Sequence, residues 1–249
     1  MMTTKIKNHW IFLATFICML GLSTLSWARN FEISKEYDDF LQLSRGRSLY
    51  VRWNPPTTQK EILVLINGLT YSTVQWERLT AALMKSGYGV LRFDMKGMGE
   101  TLRKDGLPRT EINYRDQVED LNELTHVMGL PEKLNLVGLS YGGGIAIAFG
   151  GIHPERVQNL FLMAPFTEAL QSQDRWIKWQ ISLTRIQFPY NPSTDDELYD
   201  YFLRQLVYST YPSVEPIVLE QPYKLEATFR MVQGIRKWKA SSVSQILPA

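Results

Sequence analysis

Short apolar runs alternate with stretches of helical spacing along residues 61–163, and that rhythm leaves few folds open. Glu61-Ile62-Leu63-Val64-Leu65-Ile66 stops at Asn67-Gly68, and Gly89-Val90-Leu91-Arg92-Phe93-Asp94 stops at the turn Lys96-Gly97-Met98-Gly99. Leu134-Asn135-Leu136-Val137-Gly138 and Leu160-Phe161-Leu162-Met163 repeat the pattern. Runs this short and continuous suit strands covered on both faces, as in parallel sheets. Between them, Ser72–Lys85 carries Val74, Leu79, Ala82 and Leu83 at helical spacing. Tyr114–Met128 carries Val118, Leu121, Leu124 and Met128, with Asn113 placed to cap its start and Gly129 and Pro131 to end it. Strand and helix in strict turn predict an α/β fold, with a mostly parallel central sheet flanked by helices. Leu49, Val51 and Trp53 alternate upstream and predict an earlier antiparallel strand at the sheet edge.

The third run leads directly into Gly138-Leu139-Ser140-Tyr141-Gly142, the G-x-S-x-G pattern of a nucleophile elbow. The pattern gains meaning from its place between an apolar strand and the small-residue helix Tyr141–Gly150. A serine on a tight strand-to-helix turn needs small neighbours, stands above the strand end, and faces the positive end of the helix dipole. Ser140 is therefore the candidate nucleophile. Acyl transfer also needs oxyanion donors: the backbone N–H of Tyr141, just after the nucleophile, and that of Leu69, in the loop after an earlier strand.

Other features bound the rest. Lys5 and Lys7, the apolar segment Trp10–Leu22 and Ser26-Trp27-Ala28 make the three parts of an export signal over residues 1–28, which predicts a periplasmic or secreted protein. Its removal takes two lysines, no acidic residue and the only cysteine, leaving a neutral chain without thiols. Hydrophobic residues at 45% and charged residues at 21% are ordinary for a globular protein. No apolar run reaches the roughly 18–20 residues of a membrane span, so no stable span is expected once the signal is removed. No basic cluster indicates a nucleic-acid partner. No spacing suggests a metal site or nucleotide cofactor. After Pro165 the chain becomes rich in aromatics, among them Trp176, Trp179, Phe188, Tyr190, Tyr199, Tyr201 and Phe229. Asn191-Pro192-Ser193 and Tyr211-Pro212-Ser213 break this region into short helical pieces. It reads as a helical cap, residues 167–245, over a core of residues 29–166, with most aromatics packing cap onto core.

Asn67-Gly68-Leu69, Phe93-Asp94-Met95-Lys96-Gly97-Met98-Gly99, the elbow and His153-Pro154-Glu155-Arg156-Val157, in that order, resemble the α/β-hydrolase superfamily in its capped branch of esterases, lipases and related hydrolases. The resemblance spans about residues 45–166. Asn67 stands where that family commonly has His, and Lys96 where it commonly has Arg. The resemblance implies a serine hydrolase with a small ester-like substrate and an acid and histidine that follow the serine. The chain has three histidines, His9, His126 and His153. His9 lies in the signal. Strand and helix geometry puts His126 and His153 each about 20 Å from Ser140. Val243–Pro248 resembles the segment before the next core strand, so residues 246–249 are expected to begin a C-terminal core whose last strands are missing here. Glu168 is an alternative acid. Three functions stay open: an esterase-like hydrolase impaired by the missing acid and base, a non-catalytic binding relative, and another chemistry on the same fold such as acyl transfer, C–C hydrolysis or peroxidation.

Overall fold

The computed structural model describes residues 31–167, 171–210 and 223–236. The expected signal, Glu168, the Tyr211-Pro212-Ser213 break and residues 246–249 lie outside these. Six strands form one sheet: β1 (Tyr37–Gln42), β2 (Ser48–Asn54), β3 (Ile62–Ile66), β4 (Gly89–Asp94), β5 (Leu134–Leu139) and β6 (Val157–Met163). Their order is β1-β2-β4-β3-β5-β6. β3 runs parallel to β4 and β5, and β5 to β6, whereas β2 is antiparallel to β1 and β4. Every residue of β4 is buried, as a strand sandwiched between helix layers requires.

The mostly parallel sheet matches the sequence reading, with one correction. β2 is antiparallel as expected, and Leu49, Val51 and Trp53 face the core, but it is not the edge. β1 lies outside it. Only Leu41 of β1 is buried, so its six residues carry too little apolar alternation to announce a strand.

The helices are α1 (Glu77–Lys85), α2 (Gly99–Asp105), α3 (Tyr114–Val127), α4 (Tyr141–Ile152), α5 (Gln171–Gln187), α6 (Asp195–Thr210) and α7 (Tyr223–Ile235). α3 follows its expectation: Asn113 Oδ1 accepts from Asp116 N at 2.9 Å, and all four stripe residues are buried. The stretch before α1 does not. A 3-10 turn, Thr73–Trp76, precedes the helix, and its three-residue period changes the phase of the buried face. Thr73, Trp76 and Thr80 point inward, while Val74 and Leu79 are exposed.

α5, α6 and α7 form a cap around Ile177, Leu198, Leu203, Val207 and Phe229. α5 and α6 run to 17 and 16 residues, so the expected short pieces are in fact long helices. Asn191-Pro192-Ser193 does separate them. α7 also faces the core, where Met231 and Ile235 join the main apolar cluster and Ile112 N donates to Arg230 O at 3.0 Å. Tyr199 and Phe229 are buried, but within the cluster that α5, α6 and α7 form among themselves and not against the core, and Trp176, Trp179, Phe188, Tyr190 and Tyr201 are exposed. Aromatic content alone does not say which side of a cap helix a ring occupies. Among the described residues no helix is long and apolar enough to cross a membrane.

Asp94, at the end of β4, ties three loops together. Its Oδ1 accepts from Thr73 N at 2.7 Å and Asn67 Nδ2 at 3.3 Å, and its Oδ2 accepts from Glu100 N at 2.9 Å. Burial pushes its carboxyl pKa up, against those backbone bonds, which favour the charged form. Asp94→Asn must turn an NH₂ toward one of these donors. It is expected to lower unfolding free energy by about 1–3 kcal/mol in urea titrations. An unchanged midpoint would show that the three loops are held by other contacts.

Candidate active site

Ser140 is the residue between β5 and α4, and its backbone is left-handed, with φ 51° and ψ −111°. Such a conformation costs a non-glycine residue on the order of 1–3 kcal/mol and persists only where its surroundings fix it. Here they do. Ser140 N donates to Met163 O at 2.9 Å, and Ser140 O accepts from Gly144 N at 3.1 Å and Phe166 N at 2.9 Å. The side chain is exposed into a cavity.

The glycines flanking the serine are required by close approach. A Cβ on Gly138 would stand 2.5 Å from Gly142 O. A Cβ on Gly142 would stand 2.5 Å from Asn67 O, and closer still to Ile66 O. This is the crowding that the sequence pattern implied: strand β5, helix α4 and the end of β3 meet with no room for a side chain.

Tyr141 opens α4, so its N–H has no acceptor within the helix. Its ring turns away into the core, edge-on to Tyr114 with centroids 4.9 Å apart. Burial pushes the Tyr141 hydroxyl pKa well up. Leu69 lies in the loop after β3. That loop is fixed by Gly68 N donating to Gln75 Oε1 at 3.1 Å and Tyr71 N donating to Gly68 O at 3.2 Å. Beneath it, Asn67 is fully buried, accepting from Trp76 Nε1 at 2.8 Å and donating to Phe93 O at 3.0 Å. Leu69, Ser140 and Tyr141 line one cavity of about 300 Å³.

The structure thus brings three of the four sequence candidates to one cavity, and the fourth, Glu168, lies outside the described residues. His126 and His153 are elsewhere. His126, in the last turn of α3, contacts the Arg156 guanidinium and Asn122 O. His153 lies beyond the far end of α4, about 18 Å along a 12-residue helix, near Glu119 and Glu155. Neither lines the cavity. Sequence reasoning missed Gln75 and Trp76, which brace the Leu69 loop. It also missed Asp174, Tyr199 and Arg236, which the cap contributes to the cavity wall. A glutamine and a tryptophan on a surface-helix pattern carry no signal of that role.

A strained serine over a helix N-terminus, a parallel sheet and a helical cap define a class, and the chain belongs to it: the family described as alpha/beta hydrolase fold matches residues 61–221. A 2-hydroxy-6-oxononadienedioate/2-hydroxy-6-oxononatrienedioate hydrolase of Paraburkholderia phymatum is 34% identical over 128 residues, which is 49% of this chain and 42% of that protein. The abhydrolase domain-containing protein abhd-5.2 of Caenorhabditis elegans is 29% identical over 154 residues, 56% of this chain and 34% of that protein. The chain therefore matches less than half the length of either relative. Among solved structures, an esterase from Exiguobacterium antarcticum superposes with a TM-score of 0.55 at 20% identity, covering 83% of this chain and 76% of that one. The α/β hydrolase GrgF from Penicillium gives 0.59 at 20% identity, covering 86% and 76%. At that identity the likeness concerns the fold.

Gly142→Ala tests the geometry. The added methyl meets backbone rather than a movable side chain, so a loss on the order of 3 kcal/mol is expected in denaturant unfolding. Stability equal to the parent would mean that β3 and α4 do not meet as closely as described.

Proposed function

We propose that this chain carries the nucleophile, oxyanion donors and substrate cavity of a serine hydrolase that cleaves an ester or related acyl bond through an acyl-enzyme intermediate. The observation that carries the reading is Ser140 at positive φ, presented to a cavity beside the N-terminus of α4. The serine oxygen attacks the carbonyl carbon, and negative charge grows on the carbonyl oxygen. The N–H groups of Tyr141 and Leu69 receive that charge, supported by the helix dipole. The alcohol leaves, and water then releases the acid and restores Ser140.

A serine needs a base to take its proton, and none of the described residues lining the cavity is a histidine. Loss of the base in a comparable serine enzyme costs on the order of 10⁶ in turnover. The 249-residue chain is therefore expected to turn over p-nitrophenyl butyrate very slowly. Added imidazole should restore acyl transfer by acting as the missing base, with a rate that saturates.

The check is labelling by a fluorophosphonate probe, mapped by mass spectrometry, with and without imidazole. Imidazole-accelerated labelling at Ser140, absent from Ser140→Ala, is the expected result. No labelling at Ser140 under either condition would overturn the nucleophile assignment. Ordinary esterase turnover that Ser140→Ala abolishes would keep the nucleophile and overturn the missing base.

A further inference from the structure

The cavity that holds Ser140 is apolar along most of its wall, with Leu69, Phe166, Leu203, Leu206, Val232 and Ile235 among its lining. Two charged side chains from the cap interrupt it, Asp174 on α5 and Arg236 just after α7. They differ in what surrounds them. Asp174 has close partners on both oxygens: Lys178 Nζ at 2.7 Å from Oδ2, and the Tyr199 hydroxyl donating to Oδ1 at 2.9 Å. The Lys178 contact holds its carboxyl below the usual carboxylate range, and its charge is balanced there. Arg236 bonds the Tyr199 hydroxyl and feels the charge of Asp174, and among the described residues its other contacts are these. Its guanidinium carbon lies 3.3 Å from the centroid of the Tyr199 ring, and Nη1 makes one long contact, 3.4 Å, with Asp200 Oδ1. Asp200 itself is 46% exposed, so water and salt screen that pair.

A guanidinium bonds through its edge, where its five N–H donors form a planar fork. Among the described residues, Asp200 and the Tyr199 hydroxyl engage part of that edge, which leaves some of its five donors for a ligand. The natural complement is a planar anion with two oxygens, which a guanidinium accepts with two parallel bonds. The apolar wall beside it strengthens the pairing by lowering the local dielectric.

We infer that Arg236 is a specificity-determining residue, and that the cavity takes acyl compounds whose chain ends in a carboxylate, with the reacting carbonyl at Ser140 and the far carboxylate at Arg236. The inference rests on the reading of Ser140 as nucleophile, and it deepens that reading by naming a substrate class.

Binding tests it without requiring turnover. The probes are two uncleavable ketones, 6-oxoheptanoate and the uncharged 2-octanone, titrated calorimetrically against the full chain. The carboxylate is expected to bind about tenfold more tightly. Arg236→Gln should remove that preference and leave 2-octanone binding unchanged, while Leu206→Trp, which fills the cavity, should weaken both. Asp200→Asn removes the competing carboxylate and should tighten 6-oxoheptanoate binding about two- to threefold, a gain that misfolding does not produce. Equal affinities for the two ketones, no detectable binding of the carboxylate, or a preference that survives Arg236→Gln would overturn the inference. Fluorophosphonate labelling at Ser140 separates the two readings. Labelling with no carboxylate preference sinks this inference alone, whereas an Arg236-dependent preference without labelling supports the anion site and sinks the nucleophile.

Discussion

The left-handed backbone at Ser140 is the constraint on which the site depends. A serine does not hold that conformation by itself, and three backbone hydrogen bonds hold it here. Two of them, from Ser140 N to Met163 O and from Phe166 N to Ser140 O, reach across to the end of β6 and the chain just after it. The third closes the first turn of α4. The conformation presents the residue to the cavity, and it also starts the helix whose first residue, Tyr141, lines the same cavity. On the proposed reading, nucleophile placement and anion stabilisation are thus one structural event.

The Leu69 loop, which the proposed function makes the second oxyanion donor, is built separately and is held by a buried polar network. Asp94 and Asn67 join the ends of β3 and β4 to the turn at Thr73–Trp76, with Trp76 Nε1 completing the acceptor side of Asn67. Such a network is worth having only when it is fully satisfied, since an unpaired buried polar group costs as much as a bond contributes. Both Asp94 oxygens and both ends of the Asn67 amide have partners.

Much of the core was legible because its signals are local. Glycines that must lie against backbone, a capping asparagine and a buried stripe on α3 all state their roles within a few residues of sequence. What was not legible depends on distant neighbours. β1 is defined by pairing with β2 rather than by its own pattern. The 3-10 turn before α1 moved the buried face from Val74 and Leu79 to Trp76 and Thr80. On the cap, sequence could not tell Tyr199, which supports Arg236, from Tyr190, which is 96% exposed. The cavity wall is likewise assembled from α5, α6 and α7, so no single stretch announces it.

The strain at Ser140 is also tied to the least protected strand of the sheet. β6 reads in sequence as a buried run, yet among the described strands it is the edge beyond β5, and Phe161, Leu162 and Met163 are exposed. The strand has no charged residue and no proline, the usual means of guarding an edge. Met163, its last residue, supplies the carbonyl that holds Ser140 N. Edge strands open locally more readily than central ones, because fewer contacts must break. The ordering of the nucleophile turn is therefore coupled to the ordering of β6. Whatever packs on that edge bears on Ser140 through one strand terminus, with no contact to the cavity itself.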